Sequence, residues 1–148
     1  MVLDIIFSFI ATLFFALVMN APKKSLFFSS LIASFGYFIY SICVLYNQKL
    51  LGFFLGTLMI SLLGELCARQ IKMPATIFIF PAVVPIVPGL GLYQMMLAFV
   101  QNNISQALHI GVETLINIGA MSIAIAFVSL LLTKAPNKIY GTSKKLVR

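Results

Sequence analysis

Five long apolar runs, each closed by charges or turn residues, constrain this chain more than any other feature. They cover residues 2–19, 26–46, 50–68, 75–100 and 104–132. About 20 apolar residues in a helix cross a hydrocarbon core roughly 30 Å thick, so each run is long enough to span a bilayer. Lipid offers no water to pair with an exposed strand, and the two-residue alternation of a closed barrel is absent. The expected fold is therefore all-α and polytopic, with about five spans in residues 1–133 and a basic tail over 134–148.

Composition excludes the soluble alternative. Charged residues make up 9% of the chain and hydrophobic ones 61%, against roughly 25% charged in a soluble domain. Lipid must then be the solvent for most of the surface. The net charge of +7 does not indicate nucleic acid. Lys134, Lys138, Lys144, Lys145 and Arg148 fall in the last fifteen positions, and the other cations flank apolar runs. Such placement orients helices in a membrane and does not build a DNA-binding face.

Orientation follows from counting. Asp4 precedes the first run and Lys23-Lys24 follow it, the reverse of a secretory signal, so this run is a retained helix with its N-terminus outside. Five spans then place nine cations on the cytoplasmic side and only Lys49 on the external side. A sixth span made by splitting the fourth run gives four against six, which the positive-inside rule disfavours. The expected topology is N-out, C-in.

Sites for chemistry are few. His109 is the single histidine, and neither a metal-binding cluster nor a nucleophile motif is present, so neither an enzyme nor a metal or cofactor is expected. Cys43 and Cys67 lack metal or redox spacing and read as small packing residues. In the third run Gly52, Gly56, Gly64 and Ala68 form a stripe of small residues. Such a stripe serves close packing within the chain and equally a contact between copies or subunits.

The fourth run carries the strongest signal, Pro81-Ala82-Val83-Val84-Pro85-Ile86-Val87-Pro88-Gly89-Leu90-Gly91-Leu92-Tyr93. Each proline removes a donor and strips the carbonyl four residues earlier, here those of Ile77, Pro81 and Val84. A helix broken at Pro85-Pro88-Gly89 must be buried or line a wet cavity. Gly89 offers room and the freedom to take a positive φ. A half-helix starting there aims free N–H groups at the bilayer midplane, the arrangement by which transporters hold carboxylates. A plain proline kink is the alternative.

Two further groups are candidates for a polar pathway. Gln106, His109, Glu113 and Asn117 form a polar stripe in the fifth run. It reads first as an amphipathic segment on the external surface ahead of a span from Leu115 to Leu132. The other reading is a polar wall of the transport cavity, with His109 or Glu113 carrying a proton. Glu65 and Arg69 are four apart in the order that favours a helical ion pair, with Arg69 as an attractor for anions the alternative role.

The segment Glu65-Leu66-Cys67-Ala68-Arg69, Pro74, the run from Phe80 to Gly89 and Tyr93, together with Phe15–Pro22, resembles the C-terminal domain of the bacterial threonine/serine exporter family. The resemblance implies a multi-pass protein of the bacterial inner membrane that moves a small carboxylate or amino acid. In that family one form is a single fused chain. The other is split between a short five-span protein and a larger membrane subunit holding the complementary domain, a system linked with succinate export. The length here fits the short member. Pro85, Pro88, Gly89 and Tyr93 are the positions that the resemblance carries over, and Gly91 joins them in the half-helix. A non-transporting scaffold subunit is the competing function. Lipid, the larger subunit and possible homo-oligomers are the expected partners.

Overall fold

The chain turns where Asn, Pro and Lys interrupt the apolar runs. A computed structural model describes residues 2–133 and is helical throughout, with no strand among the described residues: α1 (Val2–Val18), α2 (Lys23–Leu45), α3 (Lys49–Ile71), α4 (Thr76–Val83), a short 3-10 turn (Val84–Ile86), α5 (Gly89–Val100) and α6 (Ile104–Thr133). The basic tail over residues 134–148 lies outside the described residues.

Four helices stop in the same way. Asn20, Asn47, Lys72 and Asn102 take positive φ angles of 54°, 58°, 59° and 59° just past α1, α2, α3 and α5. The following N–H then reaches back to a carbonyl five residues earlier, as from Gln48 to Cys43, Met73 to Ala68 and Asn103 to Ala98. This closure satisfies end carbonyls without extending the helix, and Asn tolerates the left-handed conformation better than most residues. Asn103 also starts α6. Its Oδ1 accepts from the Gln106 N–H at 3.2 Å and its Nδ2 donates to Gln106 Oε1 at 2.9 Å.

Three helices, α2, α3 and α6, are long and apolar enough to cross a membrane, and α4 with α5, bent by 51° at the break, has the composition of a fourth, as one broken span or as a re-entrant loop. The expected five spans fit only roughly. Helix α1, with 17 residues, is about 25 Å long, at the lower limit for a crossing. Helices α2 and α3 also begin on lysines and overrun the apolar segments, because a long side chain carries its charge to the interface while its backbone stays helical.

The small-residue stripe is used inside the chain. A methyl group at Gly56 would meet the Gly36 carbonyl at 3.1 Å and Tyr40 at 3.3 Å, and one at Gly64 would meet Ile79 Cγ1 at 2.5 Å. Gly36 lies against Ile60 in turn. These contacts let α2 and α4 approach α3 at backbone distance, the device that replaces hydrophobic collapse in lipid. The core is Ile32, Ala33, Phe53, Ile60, Phe78, Ala82 and Ile86. Cys43 packs beside Gly52, and both cysteines are free.

The break divides the packing. Helix α4 lies on α1, α2 and α3, whereas α5 packs on α6, and α6 packs on α3. Pro81 is accommodated within α4. The stripped carbonyls predicted for Pro81 and Val84 are re-paired, because the N–H groups of Val84 and Val87 reach three residues back to them. Tightening to 3-10 geometry is what restores these partners. The true interruption falls at Val87-Pro88, where Val87 turns to an extended ψ of 131°.

Candidate functional site

A cavity of about 420 Å³ opens between α2, the start of α3, the break, α5 and α6. Its floor is Pro85, Ile86, Val87 and Pro88, and its aromatic side is Tyr37, Tyr40 and Phe53. Tyr40 packs on Phe53 with ring centroids 4.9 Å apart and on Tyr37 at 5.7 Å, so this wall is a connected aromatic cluster. The polar lining comes from Lys49, Gln94, Glu113, Thr114 and Asn117.

The N-terminus of α5 faces this space through Leu90 and Gly91. The Gly89 N–H donates to the Val87 carbonyl at 2.7 Å and that of Leu92 to the Pro88 carbonyl at 3.3 Å. The N–H groups of Leu90 and Gly91 have no acceptor within their own helix, as at any helix start. Asn117, only 8% exposed, borders the same cavity and has no hydrogen-bond partner among the described residues. Its amide is not among the side-chain atoms sealed away from all contact, and it offers a donor pair and an acceptor to whatever enters the cavity.

Two sequence signals thus converge, the Pro-Gly break and part of the polar stripe. Pro85, Pro88, Gly91, Glu113 and Asn117 line one space. The other candidates do not join them. Tyr93 is 63% exposed on the outside of α5. Gly89 starts α5 but has open space around it and a φ that is not positive, so neither the room nor the freedom expected of a glycine is needed there. His109 lies in a shallow groove on the outer side of α6 with Leu108, Val112 and Ile116, a groove that Glu113 also borders. Gln106 serves the helix start described above.

The stripe is not a separate surface segment, because α6 runs unbroken through it. Gly111 and Gly91 hold α5 against it, facing Met95 and Thr114. The expected Glu65–Arg69 ion pair is also absent: no such bond forms among the described residues, and the Arg69 guanidinium donates to the Leu132 carbonyl. The carbonyl end of α6 carries the negative end of the helix dipole, which suits a cation. Glu65 instead borders a second cavity, between α3, α4 and α6.

Sequence reasoning overlooked Lys49, Gln94, Thr114, Tyr37 and Tyr40. In the sequence Lys49 stands out only as the lone external cation. Gln94 is a single amide in an otherwise apolar α5, a signal available without the structure.

Residues 4–131 match the family model described as Threonine/Serine exporter, ThrE. The chain belongs to the threonine/serine exporter family. A curated protein of Haemophilus influenzae, described as uncharacterized, is 31% identical over 100 residues, which are 66% of this chain and 33% of that protein. This exporter-family chain therefore spans about a third of the length of that relative. No solved structure matches it. Family membership and the apolar helices make it a multi-pass membrane protein of exporter type.

Proposed function

We propose that this chain is a subunit of a secondary exporter in the bacterial inner membrane. It moves small carboxylates or amino acids, such as succinate, threonine or serine, together with a larger membrane subunit and without catalysing a chemical change. The carrying observation is the cavity at the broken helix, with its buried unpartnered Asn117 amide and free α5 N–H groups. Those donors suit a carboxylate. Lys49 adds a positive charge at the N-terminus of α3, where the helix dipole opposes it, a position that makes sense if an anion is its partner. Glu113 suits an ammonium group on an amino-acid substrate.

Glu113 also supports the partner. It lies ten residues into α6, about 15 Å along the axis, and is exposed beside Val112 and Ile116. A carboxylate exposed among the apolar side chains of a membrane helix is unfavourable where it faces lipid, and a second subunit against this side of α6 covers it. The orientation is N-out and C-in, with the cavity toward the external end of α3.

Co-expression with the complementary subunit, copurification and efflux from cells loaded with labelled succinate, threonine or serine test the reading. Efflux requiring both subunits is expected. Full-rate transport by this chain alone in liposomes removes the partner, and copurification without transport of any of these solutes favours a scaffold. A cytoplasm-specific reporter works when fused within residues 20–25 and fails near Asn102. A cytoplasmic signal at Asn102 overturns the orientation.

A further inference from the structure

The exposed helix surfaces are of two kinds. On α1 beyond its first turn the exposed side chains are all apolar, among them Ile6, Phe7, Ile10, Phe14 and Leu17. On α2 beyond Lys24 they are again all apolar, among them Phe27, Phe28, Leu31, Phe35 and Phe38. Such faces suit lipid, whose tails are as apolar as leucine. The α5–α6 hairpin is different. Tyr93 and Gln94 on α5, and His109, Glu113 and Ser122 on α6, are exposed between apolar neighbours. Ser122 bonds back to the Ile118 carbonyl. His109 and Glu113, one turn apart, pair neither with each other nor with any other described residue. Polar and ionisable side chains within membrane helices face protein or water, not lipid.

The hairpin also has the least packing of its own. Helix α5 meets only α6 among the described residues, and Ala98 is its one buried residue. It makes no contact with α2 or α3, which stand across the cavity of about 420 Å³ at the break, the solute cavity of the exporter reading. One side of that cavity is thus closed by no described element of this chain. Glu113 is the residue shared by the solute cavity and the shallow groove of Leu108, His109, Val112 and Ile116 outside α6. Three residues past Ile116 comes Gly119, where an added methyl group would meet nothing within 4 Å. An open glycine on a helix face lets a second backbone come close, the way helices associate in lipid.

We propose that the larger membrane subunit seats a helix along this groove and over Gly119, and that this helix brings a cationic side chain to Glu113 at the rim of the solute cavity; this rests on the exporter reading. The solute site is then shared between subunits. This chain supplies Asn117, Lys49 and the start of α5, and the partner supplies the missing side. A lone carboxylate on an apolar surface is matched by an opposite charge, which lipid tails do not offer. A second copy of this chain in the same orientation sets Glu113 level with Glu113 about a two-fold axis, and like charges repel. The matched stretch is 33% of the curated relative, so a unit of this kind occurs with further chain to seat.

The test uses membranes of cells that co-express the full chain with the larger subunit, and it reads association separately from transport. A photo-reactive residue placed at Ile116 or Ile123 is expected to crosslink to the larger subunit, and one at Phe14 or Phe35 to give no protein adduct. Adducts from Phe14 or Phe35 alone, adducts between two copies at Ile116, or no adduct from any of the four positions overturn the proposal. Gly119→Leu separates docking from folding, because the added side chain starts in open space. Copurification of the larger subunit is expected to fall about fivefold in this variant, with melting in detergent no lower than wild type. Glu113→Leu makes the face more apolar and is expected to lower copurification about tenfold. Wild-type copurification in either variant overturns the proposal. A crosslinked complex that moves none of threonine, serine and succinate refutes the exporter reading and leaves the docking face standing. A wild-type chain that captures no larger subunit removes the partner itself.

Discussion

A methyl group placed on Gly91 would lie 2.5 Å from Thr114 Oγ1. Thr114 is itself fixed, donating to the Ile110 carbonyl at 2.7 Å. This contact sets how near the start of α5 lies to the wall of α6, and so sets the width of the solute cavity.

Gly91→Ala is therefore expected to destabilise the protein by about 1–3 kcal/mol through overpacking and to reduce efflux at least severalfold. Gly89→Ala, two residues earlier in open space, leaves stability within about 0.5 kcal/mol, as for an ordinary surface change. Melting in detergent and efflux rates for both variants check the contrast.

Asn117→Ala removes a buried amide whose only use in the cavity is toward the solute. A lost hydrogen bond of about 1–1.5 kcal/mol corresponds to a rise of roughly tenfold in the half-saturating solute concentration, with membrane insertion intact. Lys49→Gln weakens transport of succinate more than that of threonine or serine, since succinate brings two negative charges. Concentration-dependent efflux measures both, and equal losses for all solutes contradict the assignment of Lys49 to the carboxylate.

Replacing Pro85 and Pro88 together by Ala restores the donors that proline removes. The two halves are then expected to merge toward one straight helix, abolishing efflux while the variant still inserts. Export at the wild-type rate with normal expression reduces the break to an ordinary kink.

Arg69→Gln loses a charged donor to the last turn of α6. A fall of about 1–2 kcal/mol in stability is expected, read as a lower melting temperature, with transport largely kept. Transport abolished in protein of normal stability assigns Arg69 to the solute instead.

The helices and the break were legible because their signals are local. Asn20, Asn47 and Asn102 stop helices by their own backbone tolerance, and Pro88 interrupts one by lacking a donor. The site was legible only in part, since a shared cavity depends on which helices meet. Glu113 and Asn117 stand out as polar residues in an apolar run, but only the folding of α5 onto α6 separates them from Gln106 and His109. Arg69 was misread for the same reason: four-residue spacing suggested Glu65, while the competing acceptor, the Leu132 carbonyl, is 63 residues away.

The brevity of the turns has a mechanical meaning. Only three residues join α2 to α3 and three join α5 to α6, and closed left-handed caps leave those connections no slack. Helices tied this way cannot slide past one another along their axes. Between α4 and α5 the stretch from Val84 to Pro88 departs from regular α-helical geometry, and beyond it α5 and α6 are tied as one hairpin that α6 anchors on α3. With α5 about 18 Å long, each 10° of bend at Pro88 displaces its far end by about 3 Å, so the angle of the break sets where α5 meets α6.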